Sequence, residues 1–149
     1  MKFKLTNLGS QLIGGLGYEN NKKCMAINLD NYGSVSIFLS SNGSSWNIAS
    51  GTGSSLTLNT NTDYYMKRYF TGTQYKLDIS TTGDFSGEEV NYITVNSTTS
   101  VYSGDIPIIL GTWLGGSMTS MQGSIDLTQV YLKVDGNLIW KPETGQIIL

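Results

Sequence analysis

The sequence contains no histidine. Nucleophilic sites of the Ser-His-Asp and Cys-His types need an imidazole as a base, and nearly all transition-metal sites use one as a ligand. A single cysteine, Cys24, cannot form a disulfide within the chain, and we interpret it as a packing residue. These two features exclude histidine-dependent catalysis and a disulfide framework.

Charged residues are scarce as well: they make up 13% of the chain, where roughly a quarter is usual in a soluble domain. The net charge is −2, and the longest basic runs are only Lys22-Lys23 and Lys67-Arg68. Because a nucleic-acid surface needs a basic patch to neutralise phosphates, we expect no nucleic acid among the partners.

Long apolar runs are also lacking. No stretch approaches the roughly 18 apolar residues that cross a bilayer, and residues 1–7 lack the apolar core of a signal peptide. We therefore expect no membrane partner.

What the sequence has in quantity is glycine and small polar residues. It contains 18 Gly but only 2 Pro, and 39% of its residues are apolar. Its 149 residues are enough for one hydrophobic core, so we expect a single domain over residues 1–149. Short apolar runs between frequent turn formers are typical of an all-β protein.

Alternation of apolar and polar residues predicts the strands. Residues 2–6, for example, place Phe3 and Leu5 on one face and lysines on the other. Turn signals recur roughly every 8 to 15 residues, which favours an antiparallel β-sandwich. Further strands are predicted at 24–29, 33–40, 56–58, 63–70, 73–80, 89–95, 106–110 and 123–140, and loops at 14–21, 50–55 and 111–121.

Asp135-Gly136 is a strong signal for a hairpin with a two-residue turn. Both flanking runs are apolar on both faces, which is typical of strands inside a layered structure. We assign Trp140 to the core. The predicted pairs are Val134 with Asn137, Leu132 with Ile139, and Tyr131 with Trp140.

A second hairpin is predicted to join residues 63–70 to residues 73–80 through a turn at Thr71-Gly72. One row of this hairpin is largely apolar and faces the core. The other row is polar with aromatic residues, and it carries Tyr65, Lys67 and Tyr69 opposite Asp78, Lys76 and Gln74.

Three parts of the sequence resemble one protein family. They are Gly123–Leu127 followed by Val134–Pro142, Asp63–Lys67 with Phe70–Ser80, and Ser41–Trp46. They are similar to hairpins and turns of concanavalin A-like (laminin-G-like) jelly-roll domains, particularly those in structural proteins of tailed bacteriophages. The resemblance implies a concanavalin A-like jelly roll in a virion appendage such as a tail or head fibre, with a virion or extracellular location and other virion proteins as partners.

Glycosidases that share this fold carry closely spaced carboxylates on one strand, typically as Glu-x-Asp-x-x-Glu, because one assists or attacks while another protonates the leaving oxygen. This sequence has no such strand. Its only adjacent acids, Glu88-Glu89, would point to opposite faces of a strand. We therefore expect no catalytic residues and no enzymatic activity.

Asp126 lies in an otherwise apolar strand and allows two interpretations. It is a weak candidate for binding calcium, as some laminin-G-like domains do with scattered carboxylates and carbonyls, or it caps a neighbouring backbone or forms an ion pair. Capping is favoured because no clustered Asp/Asn loop accompanies it. No cofactor is expected apart from this calcium alternative.

Flat aromatic faces and polar side chains, which sugar recognition requires, are both abundant in this sequence. For any single aromatic residue, packing is an alternative to ligand contact. The candidate glycan-binding residues are Trp46, Trp113, Tyr18, Tyr65, Tyr69 and Asp78.

The leading hypothesis is a non-catalytic, glycan-binding or adhesive module that attaches to host-surface glycan. The alternative is a purely structural decoration or assembly protein of a virion, and a glycan hydrolase is the third hypothesis. We also expect a homo-oligomer, because strands at 2–6 or 146–149 have no obvious partner and unpaired edges are usually covered.

Overall fold

The computed structural model describes residues 1–17, 22–85, 89–104, 108–111, 119–130, 132–134, 137–140 and 146–148. These residues form strands joined by turns, with one short 3-10 turn, η1, at Leu127–Gln129. The strands are β1 Lys2–Leu5, β2 Gln11–Leu16, β3 Lys23–Leu29, β4 Ser34–Gly43, β5 Ala49–Thr57, β6 Asp63–Phe70, β7 Gln74–Ser80, β8 Glu89–Asn96, β9 Ile108–Leu110, β10 Thr119–Ser120, β11 Gly123–Asp126, β12 Leu132–Val134, β13 Asn137–Trp140 and β14 Gln146–Ile148.

Two six-stranded sheets make up the fold. The front sheet has the order β14-β11-β1-β6-β7-β8, and the back sheet has the order β10-β2-β3-β4-β5 with β9 also paired to β2. Neighbouring strands are antiparallel except for the short β10–β2 pair, which is parallel. The predicted all-β, antiparallel, jelly-roll-like β-sandwich is confirmed.

The hydrophobic core lies between the inner faces of the two sheets. Alternate residues of β1, including Phe3 and Leu5, are buried, as are Leu77 in β7 and Ile27 and Ile37 in the back sheet. The alternation that predicted β1, β4, β6 and β7 therefore identified their inward faces correctly.

The expectation that the terminal strands lack partners is wrong for the described residues. Strand β1 is a central strand, because it pairs with β11 on one side and β6 on the other, and β14 pairs with β11. Lys2, for example, is opposite both Asp126 in β11 and Tyr65 in β6, and local sequence pattern does not indicate pairing between such distant positions. Unpaired terminal strands therefore no longer support the prediction of a homo-oligomer.

Glycines in β2 and β5 occupy positions predicted to be loops. Gly14 and Gly15 belong to β2, and all of 50–55 belongs to β5. A Cβ atom at Gly15 would lie 2.5 Å from the carbonyl oxygen of Met25 in the neighbouring strand. The glycine permits a close approach of two strand backbones, which is one of the established uses of glycine in a strand.

The hairpin of β6 and β7 turns one residue later than predicted. The Thr71 amide donates to the Gln74 carbonyl oxygen at 2.9 Å, and the Gln74 amide donates to Thr71 Oγ1 at 3.1 Å. The two central residues are thus Gly72 and Thr73. Gly72 has a φ of +96°, a left-handed value that favours glycine at the start of such a turn.

This displacement changes the cross-strand partners but not the faces. Each residue of β6 is opposite a residue two positions further along β7 than predicted, so Lys67 faces Asp78 instead of Lys76. Because side chains alternate with a period of two, the shift leaves every side chain on its predicted side.

The hairpin of β12 and β13 forms a separate two-stranded sheet and is not part of the front sheet or the back sheet. The pairing of Val134 with Asn137 is confirmed, but an irregularity between Leu132 and Lys133 places Leu132 opposite Trp140. The predicted Leu132–Ile139 pair is therefore wrong. Tyr131, Asp135-Gly136 and the Trp140 side chain lie outside what the structure describes.

Candidate functional site

The predicted glycan-binding residues do not come together in one place. Tyr65, Tyr69 and Asp78 lie on the outer face of the front sheet, whereas Trp46 lies against the outer face of the back sheet. Tyr18 and Trp113 lie outside the described residues. The front sheet therefore holds the larger described group.

Asp78 is a buried acid on this outer face, with only 3% of its surface exposed. Its Oδ2 lies 3.3 Å from Lys67 Nζ, which the hairpin register places directly opposite. A carboxylate engaged in this way positions Lys67 and is not presented to solvent.

Tyr65 is partly covered by neighbouring groups. A Cβ atom at Gly83 would lie 2.9 Å from Tyr65 Cε1, so the loop after β7 passes directly against the ring. Lys2 Nζ lies 5.7 Å from the ring centroid. Tyr65 thus anchors the loop of residues 81–85 more than it offers an open surface for stacking.

Lys67 lies close to two aromatic rings. Its Nζ is 5.6 Å from the Tyr69 ring centroid and 4.4 Å from the Phe85 ring centroid. Tyr69 is 41% exposed, and Phe85 is partly buried. We call Lys67, Tyr69 and Phe85, together with Asp78 beneath Lys67, the Lys67 platform.

Phe85 has an unusual backbone conformation. Its φ is +54°, in the left-handed region, which costs a bulky residue about 1–2 kcal/mol. The ring contact with Lys67 offsets part of this cost through a cation–π interaction. Phe85 was not singled out in the sequence, because no local pattern indicates that a loop phenylalanine folds back over a sheet.

A cavity of about 370 Å³ adjoins the platform, with Lys67 and Phe85 among its lining residues. Its other walls include Gly15 of β2, Ile108 of β9 and Arg68 of β6, so both sheets contribute to it. This volume falls in the range of ligand-sized clefts.

Arg68 is the only arginine in the chain and is partly buried at this cavity. Nη1 lies 3.5 Å from Met25 Sδ, and no described carboxylate forms an ion pair with the guanidinium. Burial lowers the pKa of Arg68 to about 10, which leaves it protonated at neutral pH. The signal in the sequence was a charged residue in the apolar row of a predicted hairpin.

Trp46 belongs to a different surface. Its ring packs edge-on against Phe38, with centroids 5.8 Å apart, over the buried residues Leu12 and Ala26 of the back sheet. Lys23 Nζ lies 5.8 Å from the Trp46 centroid. We call Leu12, Ala26, Phe38 and Trp46, with Ile109, the Trp46 cluster.

Asp126 performs the capping role that the sequence favoured. Its Oδ1 accepts hydrogen bonds from the Thr128 amide at 3.0 Å and from Thr128 Oγ1 at 2.6 Å, at the start of η1. Among the residues that the structure describes, no three histidine, cysteine, aspartate or glutamate side chains are grouped as metal ligands would be.

Within the described part of the chain, no helix is long and apolar enough to cross a membrane. Comparison with protein-family models, with curated proteins and with solved structures finds no match to this chain.

Proposed function

We propose that this protein is a non-catalytic glycan-binding module and that the Lys67 platform is its contact surface. The observation that supports this proposal is the geometry around Lys67, whose ammonium lies near the Tyr69 and Phe85 rings and pairs with buried Asp78. The rings are thus held in place before a ligand arrives, which reduces the entropy lost on binding.

The chemistry of the platform fits a sugar. A tyrosine ring offers an apolar face for stacking and a hydroxyl for hydrogen bonding, and the Lys67 ammonium is a donor for sugar oxygens. The Lys67 side chain is 45% exposed, so its donors reach solvent. A single platform of this size gives weak affinity, so adhesion benefits from several copies displayed together.

The resemblance to concanavalin A-like domains of bacteriophage structural proteins suggests the setting in which the module acts, a virion. In that setting the module is a homo-oligomeric part of a virion appendage that contacts other virion proteins and a host-surface glycan. The alternative function, a structural decoration or assembly protein, shares this setting but needs no glycan.

A polysaccharide retention assay with Tyr69→Ala tests the proposal. Loss of one stacking ring costs about 1 kcal/mol, so retention on the bound glycan should fall roughly fivefold. Tyr32→Ala is the matched control, because Tyr32 is 79% exposed in the turn between β3 and β4 of the back sheet, whereas the platform lies on the front sheet. This control should retain glycan as the wild type does.

Three results would contradict the proposal. If the wild-type protein binds no member of a broad glycan panel, the structural alternative replaces it. Equal retention by the Tyr69 and Tyr32 variants would remove the platform as the contact surface. Accumulation of reducing ends would show that the protein is a hydrolase.

A further inference from the structure

Among the residues that the structure describes, no carboxylate pairs with the guanidinium of Arg68, which is partly buried. A guanidinium carries five N–H donors, yet the hydrogen bond described for it has a thioether sulfur, Met25 Sδ, as its acceptor. Thioether sulfur is a weak acceptor and carries no negative charge. A guanidinium that is partly withdrawn from water gains stability when an anion binds to it.

The cavity provides space for such a partner. Arg68 lies on its wall, and Lys67 at the same cavity adds a second positive charge that is shared with Asp78. Asp84, an exposed acid, also lines the cavity. Among the described residues that line the cavity, the basic side chains are Lys67 and Arg68, and Asp84 is the one acid.

We propose that this cavity is an anion site in which Arg68 binds the carboxylate of an acidic sugar residue, while the Lys67 platform contacts the rest of the glycan. A carboxylate is planar and accepts two parallel hydrogen bonds from a guanidinium, which fixes its orientation. The inference rests on the proposed glycan-binding function and specifies the ligand as a uronic-acid type of polymer. Lys67 and Phe85 line both the cavity and the platform, so one sugar chain can reach both.

Oligogalacturonate and its fully methyl-esterified form are the probes, because they share one sugar backbone and differ in the charge of the carboxyl group. By isothermal titration calorimetry, the wild-type protein should bind the free acid about tenfold more tightly than the ester. Arg68→Gln should bind both forms equally. Lys4→Gln, which removes a positive charge from the same sheet face away from the cavity, should keep the preference.

Asp84→Asn sharpens the test. Removing this acid from the cavity wall should strengthen binding of the free acid by about twofold and leave binding of the ester unchanged. A sulfated dextran oligosaccharide, compared with unmodified dextran, shows whether the site takes any oxyanion on a sugar. If the sulfated dextran binds as tightly as oligogalacturonate, or more tightly, the assignment to carboxylate is wrong.

A measurement on the wild-type protein tests the anion site without depending on whether the Arg68 variant folds. Because the chain has one arginine, its Nε–Hε resonance in a ¹⁵N NMR spectrum needs no assignment. Free galacturonate should shift this resonance, and methyl galacturonate should not. An unmoved resonance would overturn the anion site.

The two proposals fail in different ways. If the ester binds as tightly as the acid, the anion site is wrong and glycan binding stands. If neither oligosaccharide binds but galacturonate shifts the Arg68 resonance, the anion site stands and the glycan-binding function is wrong.

Discussion

The outer faces of the two sheets carry similar residues that have different roles. Each places a lysine near aromatic rings: Lys67 near Tyr69 and Phe85 on the front sheet, and Lys23 near Trp46 on the back sheet. On the front, Lys67 is held by a buried carboxylate and Tyr69 remains exposed. On the back, the tryptophan ring covers apolar side chains.

The difference lies in what is beneath the rings. Buried Asp78 under Lys67 fixes the lysine, whereas Lys23 donates to the Ser44 carbonyl oxygen at 3.0 Å, an exposed contact in a turn. Leu12 and Ala26 beneath Trp46 gain from being covered, so that ring serves packing. Composition alone therefore does not separate a binding surface from a satellite cluster of the core.

The largest effect is expected from Leu77→Ala, which removes a fully buried side chain from the core that supports both faces. The cavity left behind should lower the free energy of unfolding by about 2–5 kcal/mol. Chemical denaturation measures this change. Lys76→Ala, the preceding residue on the outer face, should change stability by less than about 0.5 kcal/mol, and a similar loss in both variants would contradict the assigned faces.

The comparison of the two lysines is tested directly by Lys67→Met and Lys23→Met. The first leaves the buried Asp78 carboxylate without its cation and should destabilise the protein by about 1–3 kcal/mol. The second should cost less than about 0.5 kcal/mol, because its hydrogen bond is exposed. Equal losses in thermal denaturation would mean that Asp78 does not distinguish the two faces.

The smallest effect concerns the charge pairs at the far end of the front sheet. Lys2 and Lys4 lie 2.9 and 3.1 Å from the Asp63 carboxylate, and their hydrogen bonds lower its pKa. Because the folded-state pKa is lower than the unfolded one, this contribution is present above the ordinary aspartate pKa and is lost as the pH falls. Because these pairs are exposed to solvent, their contribution to stability is small.

Asp63→Asn should therefore reduce stability slightly at pH 7 and remove part of the loss of stability that the wild type shows as the pH falls below the ordinary aspartate pKa of about 4. Melting temperatures recorded across this range measure the effect. Asp30→Asn is a useful control, because Asp30 accepts two backbone hydrogen bonds in a turn and pairs with no described lysine. An acid profile unchanged by Asp63→Asn would show that the pairs contribute nothing.

Part of the candidate site could be predicted from the sequence. Alternation along β6 and β7 placed Tyr65, Lys67, Tyr69 and Asp78 on one face, and the structure agrees. It did not predict Phe85 or the cavity. Phe85 reaches the platform from a loop in which it has a left-handed backbone conformation itself. The cavity lies between β6 and the strands β2 and β9, which are distant from β6 in the sequence.

By itself, the sequence determined β1, β4, β6 and β7 and their inward faces, because a period of two and local turn residues act over a few neighbouring positions. Only the tertiary structure decided which strands distant in the sequence became neighbours. It made β1 a central strand and brought Arg68 of β6 to one cavity with Gly15 of β2. The physical reason is that pairing between distant strands depends on how two whole sheets bury their faces together, and no short stretch of sequence encodes that choice.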